Sequence, residues 1–328
     1  MNRCRRVLLA LWLAGTAVLQ AADKPARLAV LPEDVAEESL SAADLMTLEL
    51  GKHAGVELVD RSEIERVLKE QKLSAAGLVD AAQRINVGRL LRADGLVFLG
   101  TDRVRGRMLT RVVETRHGYL AGQFTQDLKA AALAQLAKDA ADRVAQVTPK
   151  LRLNPSDRML VSLWRFGNAT GLGNTELDWV ETEFPLALTD FLSRDPKILL
   201  LERRQLGAVA RESHVTADER TDLKASGIVI DGELTVAYGV PLGKDDNPVM
   251  FVVRLRDTGM REVARINQQG SVKAIDSLYA KTALAIHVKL HAMTGLEGSG
   301  NSAEETTALV AFTRAANGGR NVLYRNRG

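Results

Sequence analysis

The spacing of apolar and polar positions along the chain predicts alternating strands and helices. Short apolar runs at residues 27–32 and 96–99 predict strands, the second of them covered on both faces. Between these strands, residues 62–71 carry apolar side chains at the helical period, and Ser62 followed by Glu65 predicts a capping box at the start of that helix. Alternation of this kind is typical of a sheet with helices packed on its faces.

A predicted hairpin and a long helix complete this first set of elements. Residues 107–113 and 119–125 carry the strand pattern and flank a short turn. Residues 133–147 then place apolar side chains at helical spacing, which predicts a helix with one buried face. Ser41 is the predicted N-cap of an earlier helix, between the strand at 27–32 and a further predicted strand at 56–59.

The same order of features occurs twice along the chain, which predicts a tandem duplication. Residues 58–61 (Leu-Val-Asp-Arg) correspond to residues 200–203 (Leu-Leu-Glu-Arg). The predicted fold is α/β, with two tandem three-layer sandwiches built on mixed, mainly parallel sheets. The predicted segments are a signal peptide (1–22), a first domain (23–150), a linker (151–157), a second and divergent copy of the domain (158–295), and a flexible tail with one short helix (296–328).

Residues 1–22 have the pattern of an export signal. Arginines open the chain, an uncharged apolar run spans residues 7–19, and Ala21-Ala22 provides small residues for cleavage. The run is shorter than the ~20 residues of a membrane-spanning helix, and an uncleaved N-terminal anchor is the alternative. We therefore expect a protein of the periplasm or the outer-membrane periphery, without an integral membrane span after signal removal.

The charge balance and the cysteine content exclude several functional classes. The chain has 44 basic and 41 acidic residues, and loss of the signal would remove three arginines and no acids. A net charge near zero argues against a nucleic-acid partner. Cys4 is the only cysteine, so the exported chain would have no disulfide, no thiol nucleophile and no acylatable cysteine.

An unusual pattern occupies residues 58–94. Leu-Val-Asp-Arg at 58–61 is followed by Glu-Gln-Lys-Leu-Ser at 70–74 and by Gly-Arg-Leu-Leu-Arg-Ala-Asp at 88–94. This pattern resembles the curli secretion-channel (CsgG-like) family, and it is also similar to the related N-terminal domain of TolB-type envelope proteins. The resemblance covers residues 27–126 and implies a periplasm-facing domain of an outer-membrane secretion or assembly system, which acts by binding and oligomerising.

The predicted hairpins depart from this family. Its channel members resemble lipoproteins that insert amphipathic hairpins into the outer membrane, and such hairpins need strands of ~9–11 residues with one apolar face. Arg107, Arg111 and Glu114 leave neither face of the first hairpin apolar, whereas residues 249–253 are apolar on both faces, as in a buried strand. The soluble domain fold is therefore expected, whereas the sequence leaves open whether a pore is formed.

Two pairs of charged residues recur at one spacing. Arg61 and Glu70 of the first half correspond to Arg203 and Glu212 of the second. A binding clamp is one interpretation of this spacing. Because each arginine precedes a predicted helix and each glutamate ends it, a structural role in helix-end electrostatics is favoured.

His287 and His291 lie four residues apart on a predicted helix, a spacing that occurs in metal sites. Lys289 lies between them in place of the glutamate of zinc proteases, and the sequence indicates no third ligand. Solvated histidines beside a buried stripe are therefore favoured. No metal site, cofactor or catalytic residue is predicted.

Residues 166–175 form a glycine-rich loop between a predicted strand and a predicted helix, where a phosphate can bind. The loop lacks both the ending of a P-loop and the spacing of the dinucleotide fingerprint, so an ordinary loop is favoured. Its candidate anion-binding residues are Asn168, Gly171, Gly173, Asn174 and Thr175.

The function predicted from these features is that of a non-enzymatic binding or assembly component of the cell envelope. Its expected partners are envelope proteins or further copies of the chain, and association with the outer membrane is compatible with this interpretation. One alternative is a periplasmic module that binds a small anion or nucleotide through residues 166–175. Another is a metal-dependent envelope hydrolase that uses His287 and His291.

Overall fold

The described residues of the computed structural model form one mixed sheet of ten strands and six α-helices. These residues are 24–34, 36–71, 73, 81–102, 105–172, 177–201, 227–237 and 246–293. The strands are β1 (Ala26–Pro32), β2 (Val56–Leu58), β3 (Gly95–Asp102), β4 (Arg107–Glu114), β5 (Leu120–Asp127), β6 (Met159–Asn168), β7 (Ile198–Leu201), β8 (Gly227–Val236), β9 (Pro248–Arg256) and β10 (Glu262–Ser271). The helices are α1 (Glu37–Leu50), α2 (Arg61–Glu70), α3 (Ala81–Leu90), α4 (Leu133–Val147), α5 (Trp179–Ser193) and α6 (Ile275–Met293).

The two halves of the sheet have the same strand order. The full order is β10-β9-β8-β6-β7-β5-β4-β3-β1-β2. In the first half, β1 lies parallel between β2 and β3, and β4 and β5 follow in antiparallel fashion. In the second half, β6 lies parallel between β7 and β8, and β9 and β10 follow in the same way.

The predicted α/β class is confirmed, whereas two separate sandwiches are not. One sheet continues through both halves, because β5 pairs with β7. The sheet is mixed but not mainly parallel, since the hairpin strands and the β5–β7 pairing give five antiparallel pairings against four parallel ones. The domain boundaries at 150 and 158 stay a prediction.

The helices cover the sheet from both faces. Buried side chains of α1 and α4, including Met46 and Val144, pack on one face. Those of α2, α3, α5 and α6, including Val67, Phe184 and Ile286, pack on the opposite face. The second half is therefore turned over relative to the first. This follows from the β5–β7 pairing, which reverses strand direction while the lateral order of strands is kept.

The seam between the halves depends on buried polar contacts as well as on the sheet. In the part of β5 and β7 that the structure describes, Leu120 and Leu200 are the pair in register. Lys150 Nζ, nearly buried, donates to the carbonyl oxygens of Ser193 at 2.5 Å and Ile198 at 3.1 Å. These bonds connect the segment after α4 with the turn between α5 and β7, so a charge from one half satisfies carbonyls of the other.

A second polar contact lies farther along the seam. Arg107 on β4 pairs with Glu183 on α5, and its Nη2 lies 3.1 Å from Glu183 Oε1. The two side chains are only 7% and 13% exposed. A buried guanidinium requires such a partner, because an unpaired buried charge is strongly destabilising.

Both predicted helix caps are wrong. The N-cap of α2 is Asp60, whose side chain accepts a hydrogen bond from the Ser62 backbone N–H at 2.7 Å. Glu65 pairs with Arg61 instead of closing a capping box, with Arg61 Nε at 3.2 Å from Glu65 Oε1. Helix α1 begins at Glu37, ahead of Ser41, and its first turn holds two glutamates that complement the helix dipole.

The longer predicted elements are confirmed. The strand at 96–99 is β3, with six consecutive buried residues, and the first hairpin is β4 and β5. The apolar run at 249–253 is part of β9, which is paired on both sides. The predicted signal peptide and the predicted tail lie outside the described residues.

Gly88 on α3 is a position where the packing tolerates no side chain. An added Cβ would lie 2.3 Å from Thr115 Cγ2, and Thr115 is itself fixed by a bond to the Ala93 carbonyl. We expect Gly88→Ala to lower the free energy of unfolding by about 1–3 kcal/mol despite the better helix propensity of alanine, as measured by urea unfolding. Gly55→Ala is the control, because nothing lies within 4 Å of its added Cβ. Equal losses in both variants would contradict the proposed steric cause.

Lys150 gives the protein a distinct pH dependence. Burial lowers the pKa of its ammonium group from 10.5 to about 8. Between these pH values the unfolded chain binds more protons at this residue than the folded chain, so its contribution to the free energy of unfolding rises with pH. We expect the stability of the wild type relative to Lys150→Met to rise by about 3 kcal/mol over this window, as measured by urea unfolding at stepped pH. Lys69→Met on the exposed face of α2 is the control, and a flat difference for Lys150→Met would refute the assignment.

Candidate functional site

A charged surface lies on the second half of the sheet, on the face opposite α5 and α6. Strand alternation directs Ile230 and Leu255 into the core and turns Asp231 and Arg254 to the other face. These two residues are directly opposite each other in the β8–β9 register. Because successive side chains of a strand point to opposite faces of the sheet, β8 and β9 present an apolar face to the core and an ionic face on the other side.

The charges of this surface neutralise one another. Arg254 Nη1 donates to Asp231 Oδ1 at 3.3 Å, and its Nη2 donates to Glu233 Oε1 at 2.5 Å. Arg256 Nε donates to the other oxygen of Asp231. The bonds to Glu233 and Asp231 raise the pKa of Arg254, the hydrogen bond to Glu233 most of all. Asp231 accepts hydrogen bonds from both arginines, one at each carboxylate oxygen.

A cleft of about 480 Å³ opens beside these side chains. Its far wall comes from a bulge in β6 between Leu163 and Phe166, which turns Trp164 and Arg165 outward. Trp164 is 43% exposed. An aromatic ring beside balanced charges suits a polar protein segment better than a strongly ionic ligand, because paired side chains leave little net field.

The described part of the glycine-rich loop is not arranged for an anion. The Asn168 backbone N–H donates to Glu181 Oε1 at 3.2 Å, and the Thr170 N–H donates to Asn168 Oδ1 at 3.1 Å. The Asn168 side-chain amide donates to Asp178 at 2.8 Å. Carboxylates from the start of α5 thus occupy the donors that a phosphate needs.

The remaining candidate loop residues are divided between the described and undescribed parts of the chain. Gly171 adopts a positive φ of 66° with nothing within 4 Å of its added Cβ, as in a tight turn. Gly173, Asn174 and Thr175 lie outside the described residues.

The recurring Arg and Glu residues do not meet in the first half. Arg61 pairs with Asp44 of α1 and with Glu65, whereas Glu70 pairs with Arg66 at 2.9 Å. These side chains are more than half exposed, so the ion pairs contribute little to the free energy of unfolding. The clamp is not formed here. Arg203 and Glu212 lie outside the described residues.

The sequence favoured solvated side chains for His287 and His291, and the structure shows them partly buried instead. They lie one turn apart on α6, 26% and 16% exposed, and both Nε2 atoms contact Oδ2 of Asp195, which follows α5. Burial alone would raise the pKa of Asp195, but hydrogen bonds from the two histidines and from the Lys197 N–H hold that pKa far below its usual range. Sequence spacing gave no sign of Asp195, because a turn about ninety residues away supplies it.

The edge strand β10 is the longest exposed element of the described sheet. Five of its ten residues are exposed, among them Val263, Asn267 and Gln269. Its start carries a bulge and an ion pair between Arg265 and Glu262, devices that limit unspecific edge pairing. At the opposite edge of the sheet, β2 is only three residues long.

The comparisons with known proteins match the first half. Residues 27–101 match the family model described as curli production assembly/transport component CsgG. This segment is CsgG-like. It runs from β1 into β3 and contains α1 to α3. The sequence-based resemblance is confirmed over this range, while the second copy and the relation to TolB are not.

The other comparisons add less. No curated protein matches the chain. The chain is similar to the solved LpoB C-terminal domain from Salmonella enterica, at 13% identity and a TM-score of 0.26, covering 37% of this chain and 92% of that one. A likeness at this level carries no argument. No helix among the described residues combines the length and hydrophobicity needed to cross a membrane.

Asp231 is the residue on which the ionic surface depends. Asp231→Asn removes the charge shared by Arg254 and Arg256, and we expect a loss of about 1–2 kcal/mol in the free energy of unfolding, as measured by urea denaturation. Glu65→Gln removes an acid from an exposed pair and is expected to change stability by no more than about 0.5 kcal/mol. If Asp231→Asn left the free energy of unfolding unchanged, this network would not be a structural element.

Proposed function

We propose that this protein is a non-enzymatic component of a cell-envelope secretion or assembly system of the curli type, exported to the periplasm. The CsgG family match over residues 27–101 is the observation that carries the proposal. The predicted export signal at residues 1–22 supports the location. The described part of the 166–175 loop does not favour anion or nucleotide binding, because carboxylates occupy its donors.

The mode of action that we propose is binding through sheet edges, with a second copy of the chain as the partner. The chain already contains one such junction, in which β5 of the first half meets β7 of the second. In strand order, β10 occupies the place of β5, and β2 occupies the place of β7. The β10 edge of one copy therefore corresponds to the β2 edge of the next.

A junction of this type is heterologous, because each copy contributes a different edge. Heterologous contacts form rings when the rotation closes and open chains when it does not. Backbone pairing supplies the affinity, and the side chains next to β10 supply the specificity. The charged cleft beside β8 and β9 lies on the same half of the molecule as this edge.

The full chain, expressed with its own signal, tests this proposal. We expect a soluble periplasmic protein whose native mass by light scattering rises with concentration from one copy to a small oligomer. Lysines at two exposed positions of β10, in Asn267→Lys with Gln269→Lys, are expected to shift it to the monomer, because charges on an edge oppose strand pairing. Gln135→Lys on exposed α4 is the control and leaves the oligomer intact.

Two outcomes contradict the proposal. A monomer at every concentration would remove self-association as the mode of action. A large, detergent-dependent assembly in the outer-membrane fraction would show that the chain forms a pore.

A further inference from the structure

Three potential metal ligands converge at the turn between α5 and β7. The Nε2 atoms of His287 and His291 both face Oδ2 of Asp195, the first at 2.8 Å. One ligand atom from each residue lies within 4.8 Å of the other two. The Asp195 side chain is only 9% exposed. The sequence alone placed two of these residues together, and the fold adds the third.

The neighbouring groups fix the orientation of each ligand. Asp195 Oδ1 accepts the Lys197 backbone N–H at 2.8 Å, which leaves Oδ2 directed at the histidines. The ring of Phe191 packs edge-on against His287 at 5.5 Å between centroids. The i, i+4 spacing on α6 keeps His291 on the same face of the helix. Support of this kind, in which the second oxygen of a ligating carboxylate is itself hydrogen-bonded, is typical of metal sites.

We propose that Asp195, His287 and His291 bind one divalent transition-metal ion, with Zn²⁺ as its probe. Two imidazole nitrogens and one carboxylate oxygen are a ligand set that zinc accepts, with bonds of about 2.0–2.2 Å. Tetrahedral coordination separates ligand atoms by about 3.3 Å. Both histidine nitrogens lie closer than this to Asp195 Oδ2, the His287 nitrogen at 2.8 Å, so these side chains would rotate apart to admit the ion.

The charges around the site favour a cation. A divalent ion would satisfy the Asp195 carboxylate and both histidines at once, with the imidazoles in their neutral, ligating form. The Lys150 ammonium is engaged with the carbonyl oxygens of Ser193 and Ile198, which flank the same turn. Three protein ligands leave a fourth coordination position for water.

The bound ion would have a structural effect that goes beyond the proposed function. Asp195 belongs to the turn that receives Lys150, and the histidines belong to α6, which packs beside α5. The metal would therefore join α6 to the seam between the two halves. Binding to the folded state alone stabilises that state in proportion to the logarithm of the metal concentration.

Zinc titration of the full chain after treatment with EDTA tests this proposal, with a chromogenic chelator as competitor. We expect one Zn²⁺ per chain and a rise in the thermal midpoint on zinc addition. His287→Gln, His291→Gln and Asp195→Asn are each expected to weaken zinc binding at least about tenfold and to abolish the thermal shift. Co²⁺ provides a second measurement, because its visible absorption reports nitrogen and oxygen ligands in low coordination.

His53→Gln is the matched control. His53 also contacts one carboxylate, with Nε2 at 3.2 Å from Asp142, but in a more exposed pair. This variant is expected to bind zinc as the wild type does. Circular dichroism of the metal-free variants establishes that each one is folded.

The proposal is overturned if the wild type binds no stoichiometric zinc. It is also overturned if folded His287→Gln or His291→Gln retains wild-type affinity, which would place the ion elsewhere. In the first case the three residues form a hydrogen-bonded cluster only. Because zinc content and oligomeric state are measured separately, failure of this proposal is distinguishable from failure of the assembly proposal.

Discussion

The antiparallel pairing of β5 with β7 is the constraint on which the rest of the structure depends. It joins two halves of equal strand order into one sheet, and it turns the second half over, so that α5 and α6 lie on the face opposite α1 and α4. Leu120 and Leu200 are the registered pair among the described residues of the seam, and buried polar contacts add to it. Lys150 and the Arg107–Glu183 pair supply them, at the cost of burying charge.

The continuous sheet also determines which surfaces are available for assembly. Because each half uses one edge to form the seam, the molecule retains one edge of each kind, a long exposed β10 and a short β2. Under the self-association that we propose, two unlike edges would pair head to tail, which agrees with an assembly role for a chain with a CsgG-like segment. The bulge and the ion pair at the start of β10 are features that limit unspecific edge pairing.

The candidate sites differ in how far they were predictable. Spacing placed His287 and His291 on one helix face, but Asp195 joins them through the packing of α5 against α6, which no local pattern records. The Arg61 and Glu70 pattern was visible in the sequence, yet the fold gives each residue another partner. Charged side chains at regular spacing identify a helix face, and the neighbouring elements decide what that face contacts.

The sequence by itself determined the elements and their class. Apolar period and strand length located β3, the first hairpin, β9 and the closing helices, because burial of one face is a local requirement. It also carried the resemblance that the family match confirms over residues 27–101. Tertiary structure alone decided that Asp60 rather than Ser62 caps α2, that one sheet replaces two sandwiches, and that Asp195 meets the histidines. Each of these outcomes is a choice among partners of similar local energy, and that choice is made by long-range packing.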